Sequence, residues 1–421
     1  MMAITAFFDL DADQLDAVTA LLNSKLDETI YCATPEGFGE PGKCWLLQRA
    51  LYGLRRAPRL WQQNFRAALI EMGMQPVSED QCLYTSEHLM IFYFVDDLVI
   101  LCRPEDNEIK EQFKKDLTKR YEMRDLGKLN WFLGVRIVRD RPQKKIWLCQ
   151  DSYVDKIVNR FKLQLSKPSK VPMGTDALNK YEGQASSHQI LLYQRKVGSL
   201  LYATTITRPD VARTANKLSE FLMNPSAKHH EAADKAISYL YGTKSLAIQY
   251  SGNEDSILYA SDAAYADHDD RKSTEGFLFK LFGGPVDWRA TKQKTVTTST
   301  TEAELLAISH GAKETYWWRR LFTAIGLEIG SPTPSILCDN AQTVDLLTKE
   351  EPELKTKLKH VDVHHFWLRQ EAQAKRINIE WVPTSRMPAD GLTKALTRQK
   401  HEDFIKMLGL VDISAKITGT S

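Results

Sequence analysis

Leu89-Met-Ile-Phe-Tyr-Phe-Val-Asp-Asp-Leu-Val-Ile-Leu101 decides how this chain is read. Seven apolar residues lead into Asp96-Asp97 and four follow. Each half is short, β-branched and aromatic, the composition of a strand. Two strands joined through two acids predict a β-hairpin with carboxylates at its tip. Adjacent carboxylates with no Lys or Arg beside them repel, and they call for cationic company. Two divalent metal ions ~4 Å apart would supply it, and such a pair is the usual device for in-line phosphoryl transfer. The competing reading is a solvated turn, since Asp is a common turn residue.

The chain has 421 residues, room for two or three domains that each bury a core. At 43% hydrophobic and 26% charged it has an ordinary globular composition. No apolar run reaches ~18 residues, so no membrane span is expected. The opening Met-Met-Ala-Ile-Thr-Ala-Phe-Phe-Asp9 lacks the basic start of a signal peptide. Cys32, Cys44, Cys82, Cys102, Cys149 and Cys338 are scattered with no C-x-x-C pair. That speaks against a zinc site or a disulfide scaffold and fits a reducing, intracellular setting. The net charge of +2 announces no partner, but its distribution is uneven. Residues 9–16 carry four acids and no base, and Pro41 to Ile70 carry Lys43, Arg49, Arg55, Arg56, Arg59 and Arg66 with no acid. An acidic strip beside a basic strip suits metals plus a phosphate backbone; the alternative is a helix with a basic solvated face.

Three parts follow along the chain. Residues 1–140 mix short strands and helices, with Gly127 and Gly134 as turn points. Residues 141–255 read as mainly helical, with Ser166 to Gly183 as a loop. Tyr193–Leu201, Val211–Leu222 and His229–Tyr241 have helical apolar spacing, with breaks near Pro209 and Pro225. Residues 256–396 alternate strands and helices, and the end after about residue 410 has few apolar anchors and is expected to fray.

The last third holds four acids in informative places. Ile257-Leu-Tyr-Ala-Ser-Asp262 and Ser335-Ile-Leu-Cys-Asp339 are strands that end in an acid. Ser299 to Gly326 reads as a long helix whose start carries capping-box spacing twice, Ser299-x-x-Glu302 and Thr301-x-x-Glu304. If Ser299 is the N-cap, Glu302 is used in the cap and Glu304 is free to face a site. Asp390 follows the strand Ile377–Val382. Four converging carboxylates suit two Mg²⁺ ions, although each acid taken singly reads as a cap or turn residue. His360, His364 and His365 form a further cluster. No cysteine or fourth ligand is near to make a zinc site, and a histidine on a loop there is a candidate proton shuttle, His360 or His364.

Together these residues resemble the polymerase region of copia-type LTR retrotransposons, a reverse transcriptase followed by ribonuclease H, over almost the whole chain. Phe94-Val-Asp-Asp97 resembles the YxDD box, and Gln14 to Asn23 the first catalytic motif, which makes Asp16 the third polymerase carboxylate. Leu51-Tyr-Gly-Leu-Arg-Arg-Ala-Pro-Arg-Leu-Trp61 is similar to the template- and nucleotide-handling helix, and Asp125 to Gly134 to the segment that grips the primer end. Gly198–Tyr202 and Thr207-Arg-Pro-Asp210 resemble the thumb and connection. Asp267–Gly276, Ser299–Glu304, Cys338–Asn340, Lys359–Asp362 and Ala389-Asp-Gly-Leu-Thr-Lys394 resemble the ribonuclease H.

The resemblance implies an α+β and α/β multidomain fold. Its parts would be a reverse-transcriptase palm with incomplete fingers (1–140), a mainly helical thumb and connection (141–255), a ribonuclease H-like mixed sheet with flanking helices (256–396) and a tail (397–421). It implies two Mg²⁺ or Mn²⁺ per site, held by Asp16, Asp96 and Asp97 and by Asp262, Glu304, Asp339 and Asp390. It also implies nucleic-acid contacts from Arg55, Arg56, Arg59, Trp61 and Gly134. Expected partners are an RNA template, a DNA primer, deoxynucleoside triphosphates, an RNA–DNA hybrid and other parts of a Pol polyprotein, in a cytoplasmic virus-like particle.

The departures count too. The chain starts about fifteen residues before Asp16, so an upstream fingers region is expected to be missing, leaving exposed apolar surface. Phe94 stands for the usual Tyr, Leu21 for Phe, and Ser24 for a Gly whose backbone freedom the site would use. Hybrid cleavage is therefore expected to persist and polymerisation to be weak or absent. The rival readings are a silent nucleic-acid-binding remnant and an integrase-like transposase. All seven expected acids are present, which speaks against the first, and the tandem polymerase speaks against the second.

Overall fold

The structure is a computed structural model that describes residues 1–39, 42–253, 257–327, 333–349 and 359–419, the last range without the side chains of Lys359 and His360. Two compact units emerge, Phe8–Leu133 with Arg320–Leu327, and Met1–Phe7 with Gly134–Arg319 and Glu328–Ser421.

The first unit is built on a six-stranded antiparallel sheet. Its order is Gln75–Pro76, Leu83–Thr85, Leu89–Phe94, Asp97–Cys102, Asp11–Ala17, Met123–Lys128. Leu89, Ile91 and Tyr93 alternate inward, as a strand with one covered face requires. They meet Ala57, Trp61, Phe65 and Ala68 of the Ala57–Glu71 helix, which recur at three- and four-residue spacing. Aromatic edges close the packing: Trp61 lies 5.3 Å from Tyr121 and Phe65 lies 4.9 Å from Tyr93. Beside this core, Lys110 of the Asn107–Arg120 helix is fully buried 2.7 Å from Asp13, and Lys128 reaches both Asp11 and Asp13. Asp11 and Asp13 of the acidic strip therefore serve as ion-pair partners. Tyr31, Trp45 and Leu46, on a small ribbon, and Phe38 in its loop, are exposed.

The second unit holds two sheets and a helical cluster. Leu410–Asp412, Leu246–Ser251, Lys145–Cys149 and Val135–Asp140 form consecutive antiparallel strands. The helices Asp151–Phe161, Ser187–Ile206, Ala212–Ser219 and Ala227–Gly242 bury Val154, Tyr193, Val197, Leu200, Ile237 and Leu240 against one another. Ser186 with Gln189 and Ser226 with His229 form capping boxes at two of their starts. A five-stranded mixed sheet follows, in the order Gly284–Lys292, Thr274–Leu281, Ile257–Ala264, Ser335–Cys338, Asn378–Trp381. The first three strands are antiparallel and the last two run parallel to Ile257–Ala264.

The boundaries differ from those expected. Residues 1–7 and 134–140 go with the second unit, because Val135–Asp140 pairs with Lys145–Cys149. The segment 141–255 is not helical at its ends, where Lys145–Cys149 and Leu246–Ser251 pair across about a hundred residues. The end of the chain does not fray as expected: Arg398–Leu408 is a helix, Leu410–Asp412 joins a sheet, and Leu410 and Ile413 are buried anchors.

Arg208 and Asp210 form a fully buried ion pair at 2.7 Å. Asp210 also accepts from the Tyr239 hydroxyl at 2.6 Å, and Arg208 donates to the Thr243 carbonyl and hydroxyl. Every strong donor and acceptor is thus met, which a buried pair needs to be tolerated. Asp210→Asn leaves the guanidinium without its countercharge. We expect a loss of about 3–5 kcal/mol in urea unfolding; an unchanged midpoint would show that the pair supports nothing.

Candidate active sites

The hairpin places the first group of acids. Leu89–Phe94 and Asp97–Cys102 pair antiparallel with Phe94 opposite Asp97, so Val95-Asp96 is a two-residue turn. Asp16 sits opposite Asp97 on the neighbouring strand, and Ala17 N–H donates to the Asp96 carbonyl at 2.9 Å. All three carboxylates therefore lie at one end of the central strands. Val95 has φ 56, a left-handed conformation that is costly for a β-branched residue. It is held there by Trp61, whose indole N–H donates to the Val95 carbonyl at 2.7 Å. Gln14 Nε2 donates to Asp97 Oδ1 at 3.0 Å. Burial pushes the Asp97 carboxyl up, the Gln14 bond opposes this, and the Asp96 and Asp16 charges add to the rise. Tyr52 lies beside the same acids, its hydroxyl raised by burial and by Asp96.

The expected nucleic-acid contacts divide. Arg55 and Arg59 are exposed at the start of the helix, whereas Arg56 is paired with Asp27 at 2.5 Å and Glu28 at 3.2 Å. Trp61 is a correction: at 2% exposure it is core and presents no stacking face. Gly134 has φ 78 in the tight turn before Val135–Asp140, so its role in the structure is conformational. Ser24 is buried, its carbonyl accepting from Ala50 N–H.

The second group is closer. Asp262 lies in the central strand of the five-stranded sheet, Asp339 just beyond its parallel neighbour, and Glu304 near the start of the Thr300–Ala324 helix. Ser299 caps that helix, its hydroxyl accepting from Glu302 N–H at 3.2 Å, and the Glu302 carboxylate accepts from Thr298. Glu304 is thereby free, as the spacing suggests. Asp262, Glu304 and Asp339 each offer an oxygen within 4.8 Å of the others, the one such group of three among the described residues. Ala263 N–H donates to Glu304 Oε1 at 3.2 Å, while Glu304 Oε2 is buried with no hydrogen-bond partner among the described residues. The Thr384 hydroxyl donates to Asp339 Oδ2 at 2.8 Å and the Trp381 indole to its carbonyl at 3.1 Å. Asp262 accepts from the Thr393 hydroxyl, and Lys394 Nζ lies 3.4 Å from it while pairing with Asp390. Asp390 is thus tied to the group through Lys394.

Burial lifts the Asp262 carboxyl to about 6 despite the opposing Lys394 charge, with Asp339 and Asp390 adding to the rise. Glu304 is also raised, by burial and by Asp262. An orphaned carboxylate oxygen among three converging acids, two of them buried and Asp339 half-buried, is a donor set that fits a divalent cation.

Among the described residues, no histidine joins this group. His364 Nδ1 lies 2.6 Å from the Ser309 hydroxyl and lines a side cleft with Glu275, Arg289, Lys294 and His310. His360 is at the start of the Lys359–Gln373 helix, and its side chain falls outside the described residues. Gln14, Tyr52 and Thr384 carried no sequence signal of their own. Thr393 and Lys394 lay inside the Ala389–Lys394 motif without a role.

Residues 1–175 match the family described as reverse transcriptase (RNA-dependent DNA polymerase). The Pol polyprotein of transposon TNT 1-94 from Nicotiana tabacum is 33% identical over 97% of this chain and 32% of its own length. That of transposon RE1 from Arabidopsis thaliana is 30% identical over 95% and 27%. A transposon Ty5-1 protein of Saccharomyces cerevisiae is 33% identical over 71% of this chain and 100% of its own length. The chain belongs to the reverse-transcriptase-bearing Pol family of copia-type retrotransposons. It spans between about a quarter and a third of the length of the plant polyproteins. Among solved structures, ribonuclease H1 of Halobacterium salinarum covers 32% of this chain and 93% of its own at 16% identity and TM-score 0.23. No helix among the described residues is long and apolar enough to cross a membrane.

The raised Asp262 carboxyl has a pH consequence. Its folded value, about 6, lies above the ordinary unfolded value near 4, so the folded state holds the proton more tightly. Its contribution is full below about pH 4 and is lost as pH rises through 6. We expect metal-free stability to fall by on the order of 3 kcal/mol across that window, and Asp262→Asn to remove much of the slope. Denaturation midpoints that move in parallel for the two proteins would refute the buried-charge account.

Proposed function

We propose that the chain is a retrotransposon reverse transcriptase–ribonuclease H whose C-terminal site cleaves RNA in RNA–DNA hybrids. The observation that carries this reading is the convergence of buried Asp262 and Glu304 with half-buried Asp339, Glu304 Oε2 lacking a partner among the described residues. These three, with Asp390, would hold two divalent ions, Mg²⁺ or Mn²⁺. Bound there, the ions would supply positive charge against the scissile phosphate and acidify an attacking water. The protein's part is to fix the acids: Ala263 N–H orients Glu304, Thr384 orients Asp339, and Thr393 orients Asp262. Choice of RNA would rest on 2′-hydroxyl contacts.

In the first unit, Asp16, Asp96 and Asp97 are the acids for primer extension on an RNA template with deoxynucleoside triphosphates. Gln14 orients Asp97, and Arg55 and Arg59 are free to meet phosphates. Extension is expected to be the slower of the two activities. This trio is not drawn to within 4.8 Å as the C-terminal one is, and Ser24 fills a buried place where the family's glycine would leave room. In an intact element the setting would be a cytoplasmic particle with the rest of the Pol polyprotein.

The test is cleavage of a labelled RNA–DNA hybrid by the purified chain in Mg²⁺ or Mn²⁺, beside Asp339→Asn. We expect cleavage in the parent and a loss of at least about 10²-fold in the variant. A folded parent that binds the hybrid without cutting it would establish a silent remnant instead. Primer extension in the same buffer is expected to be slow and to vanish in Asp97→Asn.

A further inference from the structure

We propose that Arg213, in the helical segment before the five-stranded sheet, is a positioning residue for the C-terminal carboxylates. The site is then incomplete without that segment. The inference rests on the metal-dependent reading above and adds a residue to it.

Arg213 stands on the Ala212–Ser219 helix with a side chain only 15% exposed. Its Nε donates to the Thr393 carbonyl at 2.9 Å, and its Nη2 reaches Asp267 at 3.4 Å. The same Thr393 places its hydroxyl on Asp262 and is followed by Lys394, which touches both Asp262 and Asp390. Clamping that carbonyl therefore fixes the peptide from which two contacts to Asp262 project. A charged donor makes the clamp stronger than a neutral one would. Asp267, its other end, accepts from Thr274 N–H at 2.8 Å in the connection that follows the Asp262 strand. One guanidinium thus spans the chain on both sides of the carboxylates.

Two features show that the fit is tight. A Cβ built on Gly276 would meet Leu392 Cβ at 2.7 Å and Thr393 Cγ2 at 3.1 Å, so the 390–393 turn lies directly on the sheet. The helical segment is itself tied to the sheet: Trp288 donates to the Thr204 carbonyl at 2.7 Å, and Glu220 lies 3.3 Å from His268. Lysine cannot span both Thr393 and Asp267 as the guanidinium fork does.

The experiment uses the full chain with Arg213→Met, Arg213→Lys, Thr393→Val and the Met/Val double variant. Mn²⁺ binding is read by the paramagnetic resonance of free ion, and hybrid cleavage is resolved into kcat and KM. Supports of metal-bound side chains typically alter affinity or activity 10–100-fold. We expect Arg213→Met to weaken Mn²⁺ binding about tenfold and to lower kcat about tenfold with KM within about twofold. Arg213→Lys should recover part of the loss. The double variant should lose less than the sum of the two single losses, because Arg213 acts on Asp262 in part through the Thr393 hydroxyl. If Arg213→Met does not fold, Thr393→Val and Arg213→Lys carry the comparison. Folded variants with parental Mn²⁺ affinity, or additive losses, would overturn the role. A parent that binds no Mn²⁺ would instead overturn the metal reading beneath it.

Discussion

Asp262 and Glu304 are both buried, which raises the cost of ionising each, and the Asp262 charge raises that of Glu304 further. Two like charges away from water are unfavourable at any separation the fold could choose. Their convergence must therefore be imposed by topology. Ile257–Ala264 runs up the centre of the sheet, and the next two strands return and rise again. The Thr300–Ala324 helix then begins at the end of the sheet where Asp262 lies, which delivers Glu304 in its first turns. The crossover returns the chain to a parallel strand whose end delivers Asp339. A parallel pair joined by a helix necessarily brings strand ends and helix start together, where open sheets present ligand sites.

The first unit solves a milder problem by different means. Asp96 and Asp97 are only partly buried, so solvent shares the repulsion. What needs support there is backbone. Val95 is held left-handed because the hairpin closes in two residues. A glycine would relax the turn; Val95 is retained with a buried tryptophan beneath it, bonded to its carbonyl. The core of this unit thus reaches the tip of the hairpin through one indole.

That use of Trp61 shows where sequence reading stops. The family resemblance assigns Trp61 to nucleic-acid contact, yet Ala57, Trp61, Phe65 and Ala68 also trace a buried stripe. Spacing outranked chemistry, and only packing could decide. The hairpin itself was legible because period-2 alternation and paired acids are local signals. The strand-end acids and Ser299–Glu304 were legible for the same reason. Lys145–Cys149 and Leu246–Ser251 were not, since each is a short run whose partner lies about a hundred residues away. The buried ends at Leu410 and Ile413 depend on the same distant strand. Arg213 and Thr393 are separated by 180 residues, and neither carries a pattern that names the other.

The helical segment concentrates its supports in a short stretch. Arg208 and Asp210 lock the turn over Pro209–Val211, from which the Ala212–Ser219 helix departs. The direction of that departure determines where Arg213 points. Asp210 also accepts from Tyr239, whose hydroxyl is 2.9 Å from His401 on the Arg398–Leu408 helix. The chain from Asp390 to His401 is consequently fastened at both ends to the same segment, at Thr393 by Arg213 and at His401 by Tyr239. Asp390, Thr393 and Lys394, which face the carboxylates, lie at the start of that fastened stretch. A buried ion pair with no chemistry of its own thereby sets the frame in which Asp262 is held.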